Sequence, residues 1–478
     1  MSMSGWQAPG PFSPRITGPG LVYQDPTTGA LVGAGGQALV NDANWGGDGA
    51  LVCDWNTNGT LSLVSANGGG EAFALDPTVT CDGLPMAKAT CGSTGTYIAQ
   101  FVFTSPVTLA QMQSLQIPIK VSQNGAVFGG TGMAQVWLFD DATGTRQWRL
   151  ATSLNLSKAR PGVTHTMSFG PGVAADGWAF GGTSAPTTTT DLDAYTVNRI
   201  RIVIAVPAAV AGEAVWFGPI RANARRKPIV SIVLDGQYSS QDQYILPMLE
   251  AQGLRCSMAL QHSLIGSGGR MTEAQLARAY AAGHELIHHT YDGSKTAGYQ
   301  FASDWADAAA ITADINAGIA YQQARGWTRG IGYAVHGGST HPYSGAVSAA
   351  RQVIVTAGYQ AAGIKAIRAG DGFGTAPVKR LQNFARPANV DAYSIQGALQ
   401  WTSTDNAAAL AVPITSAKTR GEWAVYTGHR SVVSGASSLE ILNSDALTWI
   451  TALADDVRAG KVLCLPFGEA CRFTGISA

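Results

Sequence analysis

The stretch Val230-Ser-Ile-Val-Leu-Asp235-Gly-Gln-Tyr238 constrains this chain more than any other. A short apolar run ending in one carboxylate and a glycine reads as a strand buried on both faces, delivering an acid to the carboxyl edge of a sheet. That edge is where α/β proteins place their chemistry. From Pro228 onward, strand-like and helix-like segments alternate. Helices are expected over 242–251, 272–283, 303–325, 346–357 and 445–459, the second opened by the capping box Thr272-Glu-Ala-Gln275. Strands are expected over 254–260, 285–287, 331–335, 361–364, 423–427 and 461–465. Alternation sustained over about 250 residues predicts a parallel sheet of barrel length.

Before that point the pattern differs. Residues 46–222 give short strands separated by turn signals such as Asn67-Gly-Gly-Gly70, which predicts an antiparallel β-sandwich of jelly-roll type. Trp55, Trp137, Trp148 and Trp178 fall here; such rings either fill a sandwich core or stack on sugars, so the unit is a candidate carbohydrate-binding module. Residues 1–45 are rich in Gly, Pro, Ser and Thr without sustained period and read as an extended arm or docking segment. The expected units are therefore 1–45, 46–222 and 228–478.

Only 13% of residues are charged and the net charge is zero, so no basic excess points to nucleic acid or an acidic membrane surface. The most apolar window, 200–220, is interrupted by Arg201, Pro207 and Glu213, against membrane insertion. Met1-Ser-Met-Ser-Gly shows no basic segment followed by an apolar run, so no secretory signal is expected. Six cysteines occur without C-x-x-C spacing; Cys256 and Cys464 lie in apolar strand-like runs and read as core thiols, and a Cys81–Cys91 bridge is the other expectation.

Seven of the eight histidines lie after residue 228, several of them just past expected strand ends. Histidines gathered there with an aspartate point to metal-assisted hydrolysis, against the alternative of scattered surface or capping histidines. No Gly-x-Ser-x-Gly elbow occurs, which argues against a serine esterase.

At these residues the chain resembles the polysaccharide deacetylases. Val230 to Tyr238 is similar to that family's strand ending Thr-Phe-Asp-Asp-Gly-Tyr. Ala282-Gly-His-Glu-Leu-Ile-His-His289-Thr-Tyr is similar to its Gly-His-Glu-Ile-x-x-His-Thr, and Trp423-Ala-Val-Tyr-Thr-Gly-His429 to the strand carrying its late histidine. The resemblance covers 228–478 and implies a distorted (β/α) barrel. It further implies a divalent metal, usually zinc, held by an Asp-His-His triad, with hydrolysis of acetyl groups on a polysaccharide. Carried over, Asp235 is the base, His289 a metal ligand and His429 the acid, with Arg386 supporting the base. Two departures stand out: the metal aspartate falls on Gly236 and the second metal histidine on Gly293. Glycine offers no ligand atom, so Asp292, His288 and His336 are the candidate substitutes, and zinc is in doubt.

An arm, a sandwich and a deacetylase-like barrel look like a bacteriophage tail fibre or tailspike. That analogy predicts a virion protein made in the host cytoplasm. It would bind other tail proteins through its arm and a bacterial surface polysaccharide through its body, with a homotrimer among the assemblies such a setting allows. The competing expectation is a glycan-binding adhesin that keeps the fold without catalysis.

Overall fold

The computed structural model of the chain describes residues 22–24, 31–33 and, with gaps, 50–222 and 228–476; the widest gaps after 228 are 337–348 and 370–391. In the expected arm, Val22–Gln24 pairs antiparallel with Leu31–Gly33, and the rest of 1–45 lies outside the described residues.

Between 50 and 222 two seven-stranded antiparallel sheets form. One is built on Gly95–Thr108, Met133–Phe139 and Thr196–Val206, the other on Leu84–Thr90, Leu115–Val121 and Ala214–Phe217. Alternate residues of both sheets (Phe101 and Phe103, Ile200 and Ile202, Leu115 and Ile117) enter one common core, as the two-residue period of a strand dictates. Trp55 belongs to that core and donates its indole N–H to the Gly218 carbonyl at 2.6 Å. Trp137 and Trp216, half-buried, alternate with core residues and face outward. The side chains of Trp148 and Trp178 lie outside the described residues. All six cysteines are free thiols, Cys81 and Cys91 included.

Ile220–Ala222 is the last strand of the second sheet, and the next strand already belongs to a parallel one. We number that sheet β1 (Ile229–Asp235), β2 (Ser257–Gln261), β3 (Glu285–Thr290), β4 (Tyr333–Val335), β5 (Ala366–Ala369), β6 (Ile395–Gln396), β7 (Leu399–Gln400), β8 (Trp423–Gly428) and β9 (Leu463–Cys464). The spatial order is β6-β5-β4-β3-β2-β1-β8-β7, with β9 beside β1. The two edge strands, β6 and β7, are consecutive in the chain, and Gln396 lies three peptide steps from Leu399. Three steps span at most about 11 Å, so the sheet curls until its edges nearly meet.

β1 shows why both faces had to be apolar. Ile229 and Val233 join Ala259, Ile287, Val335 and Ala366 inside the curl, while Val230, Ile232 and Leu234 meet the surrounding helices. A short helix at 467–474 closes the amino end: Phe467, Ala470 and Cys471 pack into the inner cluster, and Glu285 accepts the Gly468 N–H at 2.7 Å.

The Thr272 capping box is present, with Thr272 accepting from the Gln275 N–H and the Gln275 side chain accepting from the Thr272 N–H. Other expectations need correction. The helix expected from 303 begins at Ala308, because Asp307 is the residue that caps it, accepting the Ala310 N–H at 2.9 Å. The helix expected over 346–357 runs Ala349–Ala361 and is followed by Gly363 at φ +74°, which moves the next strand from 361–364 to 366–369. The helices at Ala407–Arg420 and Phe467–Thr474 were not expected.

Candidate active site

Asp235 ends β1, His289 lies near the end of β3, His336 follows β4, Arg368 sits in β5 and His429 follows β8. Because parallel strands end at one rim, these five side chains share the carboxyl mouth of the curl. Asp235 is 4% exposed. Its Oδ2 accepts from Arg368 Nη2 at 2.5 Å and lies 4.0 Å from His429 Nε2. Arg368 also donates to Thr427 Oγ1 on β8, so one guanidinium ties β1, β5 and β8 together. Asp235 Oδ1 is buried and has no hydrogen-bond partner among the described residues. Gln241 fixes the frame by donating to the backbone carbonyls of Asp235 (2.9 Å) and His429 (2.6 Å).

The electrostatics follow from burial and charge. Burial pushes the Asp235 carboxyl up, but Arg368, with His289 and His429, outweighs it and holds the group below the usual carboxylate range. Burial pulls His289 down to about 4, against the pull of Asp235, and His336 to about 3. Burial also lowers His429, with Asp235 opposing. Near neutrality the mouth therefore holds an ionised carboxylate and imidazoles in which the neutral form is favoured.

Two expected substitutes stand apart from this group. His288 is adjacent to His289, and successive strand residues face opposite sides. It turns to the helix side, where Nε2 meets the Tyr299 hydroxyl at 2.6 Å, which in turn donates to Asp314. Asp292 lies in a turn, its carboxylate accepting the N–H and hydroxyl of Ser294. His336 does lie near His289 and Arg368, and its backbone N–H donates to the Arg368 carbonyl at 2.8 Å. Arg386 lies outside the described residues, and the guanidinium on the base is that of Arg368, which sequence reasoning missed.

The residues present do not fit the expected metal. Gly236 has φ +81°, and a Cβ there would stand 2.6 Å from Arg270 Nη1. A guanidinium thus fills the place of the missing carboxylate. At Gly293 a Cβ would stand 2.3 Å from Leu264 Cγ, so an alkyl chain fills the place of the missing imidazole. Among the described residues no cluster of three His, Cys, Asp or Glu side chains has metal-holding geometry.

A second constellation lies at the amino edge. His284 Nδ1 is 3.2 Å from Cys256 Sγ and Nε2 is 3.1 Å from Glu250 Oε1. Its order mimics a nucleophile, base and orienter. However, Cys256 is fully buried, and burial raises its thiol well above the usual value, so the thiolate is unavailable. His284 also accepts the Cys256 N–H at 3.2 Å, which makes it a tie between chain segments.

No protein-family model matches the chain. No curated protein matches it either. Among solved structures, it is similar to the Xyl-CE4 domain of a multidomain xylanase from the hindgut metagenome of Trinervitermes trinervoides. Identity there is 16% over 52% of this chain and 92% of that one, with TM-score 0.27. The catalytic domain of a peptidoglycan N-acetylglucosamine deacetylase from Eubacterium rectale gives 10% over 50% and 89%, with TM-score 0.31. A family 11 carbohydrate-binding module of a Clostridium thermocellum cellulase gives 12% over 37% and 94%, with TM-score 0.25. None of these likenesses places the chain in a family, and the functional reading stays with the site.

Proposed function

We propose that the chain binds a bacterial surface polysaccharide and hydrolyses acetyl groups from it at the Asp235–His429 mouth of a distorted (β/α) barrel. The observation that carries this reading is an ionised carboxylate with one free oxygen, clamped by Arg368 and 4.0 Å from an imidazole, at the rim of a parallel sheet. In such a step Asp235 Oδ1 takes a proton from a water attacking the acetyl carbon and returns it to the departing oxygen or nitrogen. His429 orients the leaving group through its ring N–H. No metal enters this scheme, because Arg270 and Leu264 occupy the ligand positions. The jelly-roll-like sandwich with its outward Trp137 and Trp216 is proposed to add weak sugar contacts. The setting we propose is a phage tail, with residues 1–45 as the docking segment; the support is architectural analogy alone.

A second reading, binding without hydrolysis, is favoured by the same loss of both metal-ligand positions, since no built electrophile then faces the carbonyl. Acetate release by the full chain from acetylated bacterial polysaccharides supports the first reading. Retention on the same glycans without acetate supports the second.

A further inference from the structure

Arg270 is an unusual residue to find beside a catalytic carboxylate. Its loop, following the short helix at 262–264, is stitched to the turn after β1 by the Met271 N–H to the Gln237 carbonyl at 2.8 Å and the Ser239 N–H to the Gly269 carbonyl at 2.9 Å. The guanidinium donates to the Gly236 carbonyl and stacks on the Tyr238 ring, its carbon 4.0 Å from the centroid. Arg430, on the segment after His429, lies over the same ring at 5.1 Å. The turn that permits this approach runs through two successive residues at positive φ, Gly236 at +81° and Gln237 at +38°. A non-glycine residue there is strained, and Gln237 is held by its amide bonds to the Gln261 backbone at 2.7 and 3.0 Å.

Charge around this point is unbalanced. Asp235 Oδ2 is paired with Arg368, and Arg430 has Glu440 at 3.2 Å. Arg270 is half-buried, and among the described residues no carboxylate pairs with it. A partly desolvated guanidinium without an anion is costly unless a ligand supplies one.

We propose that Arg270 and Arg430, mounted on Tyr238, form a subsite for an anionic substituent of the glycan, a carboxylate or a phosphate on the saccharide that enters the Asp235–His429 mouth. This deepens the function proposed above and rests on its glycan ligand. The planar fork of Arg270 suits a two-oxygen anion, and the Tyr238 ring supplies an apolar face for the sugar carrying it.

The test is titration calorimetry of the full chain with three probes: oligogalacturonate, its carboxyl-reduced counterpart and a glycerol-phosphate oligomer. Oligogalacturonate should bind more tightly than the reduced form, and Arg270→Gln should weaken it by about tenfold or more. If the phosphate oligomer shows this behaviour instead, the subsite stands with phosphate as its anion. Arg430→Gln, at an exposed position, should weaken the same probe less and reduce the salt dependence. Reduced-form binding that equals acidic binding, with Arg270→Gln silent, overturns the subsite and leaves the glycan reading standing. Absence of binding by all three, alongside acetate release from a neutral polysaccharide, overturns it equally. Absence of both binding and acetate release removes the parent reading as well.

Discussion

Replacing Arg368 by Gln tests how the mouth is held together. The pair with Asp235 is 2.5 Å long between groups whose side chains are 1% and 6% exposed, so solvent screens it little. Removing one partner of such a pair leaves a buried charge uncompensated and costs about 3–5 kcal/mol. For an α/β unit of this size that is a fall of roughly 10 °C in thermal midpoint. Burial would then dominate at Asp235, and its carboxyl should rise instead of staying below the ordinary range. Asp235→Asn combined with Arg368→Gln removes both charges and should be more stable than Arg368→Gln alone. Urea unfolding of the full chain, with the α/β transition assigned by hydrogen exchange, measures both. A cost below about 1 kcal/mol, or a double variant no better than the single one, refutes a structural pair at this site.

Three further outcomes follow from the same geometry. His262, buried and stacked on His288, and His289, both lowered by burial to about 4, and His336, lowered to about 3, refuse protons that the unfolded chain accepts near 6.5. Stability should therefore fall as pH drops from about 6.5 toward 4, by on the order of 3 kcal/mol per histidine, and urea midpoints that stay flat over that window contradict it. Asp235 has the opposite chemistry but loses its contribution in the same direction, as pH falls through its own depressed value. Installing Gly236→Asp and Gly293→His together should cost about 1–3 kcal/mol each through overpacking against Arg270 and Leu264 and should create no zinc site, read by calorimetric zinc titration. Trp216→Ala, on an outward sandwich face where the indole donates to Asp76 at 2.9 Å, should weaken retention on glycan arrays without changing acetate release.

What the sequence made legible was the set of polar residues that end apolar runs. Asp235, His289 and His429 each close such a run, and parallel strands bring run-ends to one rim, so their meeting required no knowledge of side-chain packing. Adjacent polar residues were not separable in this way. His288 and His289 look equivalent in sequence, and only strand parity sends one inward and the other to Tyr299. Arg368 was hidden by an ambiguous boundary. The alanine-rich stretch before Gly363 fits either element, and ending the strand at 364 left the arginine in a loop. A charged residue inside Ala366-Ile-Arg-Ala369, a four-residue strand buried throughout, was the available signal. Arg270 left none, since a loop arginine becomes part of the mouth only through the positive-φ turn that admits it.

The most direct test is acetate release from an acetylated bacterial polysaccharide by chelator-treated full chain, with Asp235→Asn beside it. Release should persist after chelation, because Arg270 and Leu264 fill the space beside Gly236 and Gly293 where the expected ligands would stand, and should be lost in Asp235→Asn while glycan binding stays nearly unchanged. Release that survives Asp235→Asn, or that chelation abolishes and zinc restores, would contradict the account.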